Sequence, residues 1–110
     1  MAKKVARLTK AVAVDLEAAV EFAADGIVSK TLLVQPGANV SLFCMAAGQS
    51  MTEHTASWPA AIHVLRGSGV VRLGRKSHQA RPGSWYYMPK GLLHALRADE
   101  DFVFLLTLFR

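Results

Sequence analysis

The stretch "GSWYYMPKGLLH", residues Gly83 to His94, carries the most specific spacing in the chain. Gly83 is followed after five residues by Pro89, after one more by Gly91, and after two more by His94. Proline cannot donate to a strand ladder and glycine lets the chain reverse, so a strand should end at Pro89 and the next should begin near His94. A rigid corner would then aim that histidine.

The pattern around this corner indicates many short strands. From Gly26 onward, β-branched or aromatic runs alternate with turn residues, and no internal repeat interrupts them. The stretch "RLGRKSH" predicts a hairpin with Gly74 in its turn. Such strands in a chain of 110 residues favour a sandwich or a small barrel. The predicted strand segments are "IVSKTLLVQ", "NVSLFCMAA", "AIHVLRG", "GVVRLG", "WYYMP" and "FVFLLTLF".

The N-terminal part differs from the rest. In "DLEAAVEFAADG", apolar residues recur at helical spacing, Asp15 is placed to cap a helix, and Gly26 is placed to end it. We therefore expect an N-terminal arm with one short α-helix over residues 1–26 and a single β-barrel domain over residues 27–110.

Composition excludes several classes of protein. With 52% hydrophobic and 19% charged residues, the chain should fold, and its single Cys44 should be a small core residue. The net charge of +5 does not indicate nucleic-acid binding, because basic residues are not interleaved with aromatic ones. Asp15 and Glu17 interrupt the apolar N-terminal run, so we expect neither a secretion signal nor a membrane span, and a cytoplasmic location.

The spacing from Gly83 to His94 resembles the second motif of the cupin superfamily. In that family the histidine is a metal ligand at the mouth of a double-stranded β-helix, also called a jelly-roll barrel. The resemblance implies an all-β fold of this type with one short N-terminal helix. The approach "PGANVSLFCMAAGQSMTEH" also looks like small single-domain bacterial cupins, which implies a dimeric barrel.

The first cupin motif can be aligned in the same register. Gly48 is followed after five residues by His54, where the family places its first histidine. The position of the second histidine holds Ala56, the position of the glutamate holds Ala60, and Gly67 closes the motif. The resemblance thus implies a framework with His54 and His94 as ligands and two ligands missing.

Two histidines alone should hold a divalent metal such as Fe, Mn, Ni or Zn only weakly. Strand alternation places Ala60, Ile62 and Val64 on one face and His63 on the other, so His63 cannot replace the glutamate. Glu53 should also point away from His54 unless a bulge intervenes. We expect His63 to lie at an interface or in a hydrogen bond and His78 to be exposed.

The two alanines should widen the barrel mouth and make it more apolar, which is typical of small-molecule sites. Trp58 lies in the turn beside that mouth, so the predicted ligand-binding residues are His54, His94, Trp58, Ala56 and Ala60. In "WYYM", Trp85 and Tyr87 share one face and Tyr86 and Met88 the other; the pattern leaves open which face lines the barrel.

The strands "NVSLFCMAA" and "FVFLLTLF" are apolar on both faces, so both faces should be buried, one of them against the barrel interior. We expect the other face to be buried against a partner copy, in a homodimer that uses the C-terminal strand. Three functions remain open: a module that binds an organic ligand or a weakly held metal, a metal-dependent dioxygenase or isomerase, and a sensor or scaffold without small-molecule chemistry.

Overall fold

A computed structural model describes residues 11–110, which form two facing antiparallel β-sheets and one helical turn. The first sheet has the order β1-β2-β9-β4-β7 and the second the order β3-β8-β5-β6. This is the jelly-roll arrangement that was predicted. The elements are α1 Leu16–Ala19, β1 Ile27–Gln35, β2 Ala38–Met45, β3 Ser50–His54, β4 Ala60–Arg66, β5 Gly69–Leu73, β6 Lys76–Ala80, β7 Trp85–Met88, β8 His94–Ala98 and β9 Phe102–Phe109.

The predicted corner after β7 is confirmed. β7 ends at Met88, directly before Pro89, and β8 begins at His94. The predicted hairpin is also present: Leu73 pairs with Lys76 across a two-residue turn, in which Gly74 has a φ of 60°. A glycine with positive φ at the first turn position is typical of a type II′ hairpin.

The main core lies between the two sheets and follows the alternation expected along β4. Ala60, Ile62 and Val64 are buried in it, whereas His63 between them is exposed. The rings of Phe43 and Phe104 stack in the same core with centroids 5.2 Å apart. The prediction that His63 faces away from the barrel interior is therefore confirmed.

β7 shows which of its faces lines the barrel. Tyr86 lies opposite Ile62 and Met88 lies opposite Ala60, so both face the core. Trp85 and Tyr87 point outward, with 61% and 48% of their surfaces exposed. The open question about the "WYYM" segment is thereby decided in favour of Tyr86 and Met88.

Gly67 closes the end of the barrel opposite the β7–β8 corner. Its φ is 79°, and a Cβ atom placed there would lie 1.9 Å from the carbonyl oxygen of Asp101. The chain between β4 and β5 thus runs directly against the chain that enters β9. Only glycine combines this left-handed conformation with so close a backbone approach.

The N-terminal helix is shorter than predicted. Asp15 caps it as expected, because its carboxylate accepts hydrogen bonds from the backbone N–H groups of Glu17 and Ala18. The helix ends after Ala19, however, and Val20 already has extended backbone angles. The prediction of a helix that continues to Gly26 was wrong.

Packing explains the early end of α1. Leaving the helix lets Val20 and Phe22 join Ala19 against a second apolar cluster on the outer face of the five-stranded sheet, formed by Leu42, Cys44 and Val103. Cys44 is 1% exposed, as a core cysteine should be. Leu42, Cys44 and Val103 are therefore buried by residues of the same chain, and not by a partner copy as expected.

Within residues 11–110, no helix is long and apolar enough to cross a membrane.

Candidate functional site

The two aligned motifs meet at one end of the barrel. The backbone N–H of Gly91, in the β7–β8 turn, donates to the carbonyl oxygen of Ala56, in the β3–β4 turn, at 3.0 Å. His54 and His94 lie directly opposite each other in the pairing of β3 with β8. Their ring centroids are 4.1 Å apart, with the planes at 63°. The structure thus brings together the two histidines that the spacing singled out.

Hydrogen bonds fix the orientation of both imidazoles. His54 Nδ1 lies 2.7 Å from the carbonyl oxygen of Thr52, and His94 Nδ1 lies 2.8 Å from that of Leu92. A carbonyl oxygen can only accept, so each Nδ1 must carry the proton and donate. Each Nε2 then keeps a lone pair that can accept a hydrogen bond or bind a metal ion.

Burial differs between the two rings. His94 is 7% exposed and is the one buried polar residue of the part of the chain that the structure describes, whereas His54 is exposed. His94 therefore lies in the barrel interior, and His54 lies at the surface of the barrel mouth. A ligand that reached His94 would pass His54 or contact it.

The missing ligands of the first motif are not replaced. Ala60 is 2% exposed and lies between Met88 and Leu108 in the core, and Ala56 offers only its backbone. Glu53 is bound by Arg72, with 2.5 Å between the Glu53 Oε1 and Arg72 Nη1 atoms. Residues 11–110 contain no group of three or more His, Cys, Asp or Glu side chains that could hold a metal ion. A tightly held resident metal does not fit this donor set.

Trp58 lies beside the mouth as predicted, but one of its faces is covered. The guanidinium carbon of Arg110 lies 4.7 Å from the centre of the Trp58 ring, a cation–π contact. Arg110 also donates from Nη1 to the Asn39 side-chain oxygen at 3.2 Å. Sequence reasoning missed Arg110, because no motif connects the last strand to the turn that holds Trp58.

His78 was also placed wrongly. It lies opposite the buried Val71 and is half-buried, with its ring centroid 5.6 Å from that of Tyr86. The prediction that His78 is exposed was therefore wrong. The side chains of His78 and Tyr86 add two partly buried polar groups to the barrel interior. The alternation of β6 was hard to read because its segment is polar at most positions.

A groove of about 670 Å³ lies on the outer face of the four-stranded sheet. Its lining includes the side chains of Arg72, Arg97 and Glu53 and the small residues Ser77 and Ala95. This groove lies outside the barrel, so it is not the apolar pocket expected between the histidines.

Comparison with known proteins gives a family and a fold. The family model described as a cupin domain matches residues 41–108. A conserved protein of unknown function from Streptococcus pyogenes is 26% identical, with a TM-score of 0.81 and coverage of 96% of this chain and 92% of that chain. A cupin superfamily protein from Desulfitobacterium hafniense DCB-2 is 20% identical, with a TM-score of 0.82 and coverage of 97% and 98%.

One similar fold belongs to an enzyme. A mutant form of salicylate 1,2-dioxygenase from Pseudoaminobacter salicylatoxidans is 16% identical with a TM-score of 0.73, over 78% of this chain and 27% of that chain. At this identity the likeness concerns the fold alone. No curated protein matches the chain.

Proposed function

The chain belongs to the cupin domain family, and from this premise we propose that it binds a small organic ligand at the barrel mouth, between His54 and His94. One observation carries the proposal: both rings donate from Nδ1 to backbone carbonyls and their centroids lie 4.1 Å apart, so each ring keeps an Nε2 lone pair for a ligand. A ligand hydroxyl or N–H group could donate to them, and a divalent metal could bind there weakly.

The surroundings of the pair favour an organic ligand over a bare ion. Leu73 lies opposite His94 in the pairing of β5 with β8. Both Leu73 and Leu92 pack against the core. These two leucines give His94 apolar neighbours. A few polar groups among apolar walls are typical of small-molecule sites.

Charge at the same end of the barrel favours a ligand that carries a negative charge. Because β5 ends opposite the start of β8, the β5–β6 and β7–β8 turns lie at the mouth, and they carry Arg75 and Lys90. Arg110 adds a third cation beside Trp58. Glu53, next to His54, is paired with Arg72, so the excess charge at this end is positive and raises the local concentration of anionic ligands. We therefore propose an organic anion with a hydroxyl or N–H group.

A metal-dependent dioxygenase or isomerase is the second candidate. The observation that favours it is the Nδ1 hydrogen bond of each histidine, because metal-binding histidines almost always donate their other ring N–H in this way. Such an enzyme would need its remaining ligands from water or substrate, since the described residues supply no third one.

A metal titration tests both candidates. Protein purified without a histidine tag should contain little Fe, Mn, Ni or Zn by elemental analysis and should bind added Ni²⁺ weakly. His54→Ala and His94→Ala should each weaken Ni²⁺ binding at least about tenfold in calorimetry, because each removes one of two ligands. His63→Ala is the matched control, since His63 is exposed on the opposite face of β4, and it should change nothing.

Other results of the titration are equally informative. A stoichiometric metal in the purified protein, lost in both variants, would favour the enzyme. If Ni²⁺ does not bind and none of a panel of hydroxy acids shifts the imidazole signals of His54 and His94 in NMR spectra, the protein is a scaffold without small-molecule chemistry at this site.

We also propose a homodimer that uses the uncovered part of the five-stranded sheet. Phe109 on β9 and Trp85 and Tyr87 on β7 are 41%, 61% and 48% exposed, and the Tyr87 and Phe109 ring centroids lie 6.4 Å apart. The segment of residues 19–22 covers Leu42, Cys44 and Val103 but leaves these aromatic rings bare. A contiguous exposed aromatic surface marks an interaction site, and pairing of identical patches is the commonest way to cover one.

Light scattering coupled to size-exclusion chromatography tests the dimer. The natural chain should elute with the mass of two copies at micromolar concentration, and the double variant Trp85→Ser, Tyr87→Ser should elute as a monomer. Leu93→Ser is the matched control, because Leu93 is an exposed apolar residue on the β7–β8 turn instead of β7, and it should leave the dimer intact. A natural chain that is monomeric would contradict the proposal.

A further inference from the structure

We propose that Arg72 is a positioning residue that holds His54 and His94 in their mutual geometry from the outer face of the sheet. Arg72 lies on β5 directly opposite Ala95, the residue after His94. Its side chain points away from the barrel interior and takes part in two contacts, one leading toward each histidine. This inference rests on the proposed function of the histidine pair and names what fixes it.

The first contact leads to His54. The pairing of β3 with β8 shifts by one residue between Met51 and His54, which marks a β-bulge. The bulge lets Glu53 reach the outer face while His54 meets His94 on the inner side. Arg72 binds the Glu53 carboxylate there, and Thr52, the other residue of the bulge, accepts the Nδ1 hydrogen bond of His54. Arg72 therefore fixes the segment that sets the orientation of His54.

The second contact leads to His94. Arg72 Nε donates to the carbonyl oxygen of Gly74 at 3.1 Å. The backbone N–H of Gly74 in turn donates to the carbonyl oxygen of Leu93 at 2.7 Å, and Leu93 directly precedes His94. The β5–β6 turn thus connects Arg72 to the entry of β8, so a single guanidinium is connected to the chain next to both rings.

The same face offers a natural comparison. Arg97 also lies on the outer side of the four-stranded sheet and pairs with Asp99 at 3.0 Å, two residues away in the same chain segment. Among the described residues, neither the Arg97 nor the Asp99 side chain forms a hydrogen bond or ion pair with the β3 bulge or the β5–β6 turn. Exposed ion pairs contribute little to stability, and both pairs are partly exposed. Loss of either should leave the fold intact, and only loss of Arg72 should disturb the histidines.

NMR of the imidazole nitrogens measures this effect without any ligand. In the natural chain, both histidines should show the Nδ1–H form. In Arg72→Gln and in Glu53→Gln, the His54 signals should move toward a mixture of the two tautomers. The double variant should resemble the single ones, because both substitutions remove the same contact. Arg97→Gln should leave the signals unchanged, and all variants should unfold within a few degrees of the natural chain.

Nickel binding gives the second readout. Arg72→Gln should weaken Ni²⁺ binding to the histidine pair by about threefold to tenfold, at or below the usual effect of a partner outside the ligand shell, and Arg97→Gln should not. If the natural chain lacks the Nδ1–H forms, the proposed function loses its basis. If these forms are present and survive Arg72→Gln with unchanged Ni²⁺ affinity, only the role of Arg72 is overturned.

Discussion

The double variant Ala56→His, Ala60→Glu is expected to bind Zn²⁺ or Ni²⁺ at least about a hundredfold more tightly than the natural chain. The two substitutions add the ligands that the family motif places at these positions, next to the existing pair His54 and His94. Loss of a partner outside the ligand shell alone costs about 10–100-fold in affinity, so two added ligands should exceed that range. Calorimetric titration of both proteins measures the gain.

The same variant should lose stability without metal. Position 60 is 2% exposed and lies between Met88 and Leu108, so a glutamate there buries a carboxylate in the core. The expected loss is about 2–5 kcal/mol of the free energy of unfolding, since a buried polar group without partners is costly. Added Zn²⁺ should restore the thermal midpoint, because binding to the folded state alone stabilises it.

A control for this design is the double variant Ala56→His, Ala61→Glu. Ala61 is also buried, but it lies opposite Tyr87 and faces away from the barrel interior. It should gain no comparable affinity, because its carboxylate cannot reach the histidines. If the Ala60 variant folds and binds metal no more tightly than this control, the alignment of the first motif is wrong.

Gly67→Ala should be among the most destabilising substitutions of small size in the protein. The new Cβ would meet the carbonyl oxygen of Asp101 at 1.9 Å, at a residue whose φ is 79°. Backbone cannot yield as a flexible side chain does, so we expect a loss of about 3 kcal/mol or more, from strain and close contact together. Urea unfolding followed by Trp fluorescence measures the difference.

Gly83→Ala separates the two causes. Gly83 has a φ of 92° but open space around the position of a Cβ atom. Its substitution should cost only about 1–2 kcal/mol, the penalty of a left-handed conformation for an L-residue. Equal losses in the two variants would show that the contact of Gly67 with Asp101 is unimportant.

Local sterics explain which parts of the fold could be predicted. Pro89 and Gly91 end β7 and reverse the chain whatever surrounds them, and Gly74 forms its hairpin turn for the same reason. The alternation of β4 likewise follows from the two-residue period of a strand. These features depend on residues close in sequence, so they could be predicted from the amino-acid sequence alone.

Long-range contacts explain what was missed. The helix ends early because Val20 and Phe22 pack on strands that follow far along the chain, and helix propensity does not register such contacts. The contact of Arg110 with Trp58 likewise joins residues that are far apart in the sequence. His54 and His94 could be paired from motif spacing. A bulge was considered only as what would bring Glu53 to the side of His54, whereas the bulge observed before His54 leaves Glu53 on the outer face with Arg72.

The packing of residues 19–22 has a chemical consequence for Cys44. A thiol reacts with oxidants or alkylating reagents as the exposed thiolate, and this one is 1% exposed, in a cluster against which Val20 and Phe22 pack. While that short segment stays seated, the only cysteine of the chain is shielded from redox chemistry. Its rate of labelling therefore measures how often the N-terminal cover lifts from the barrel.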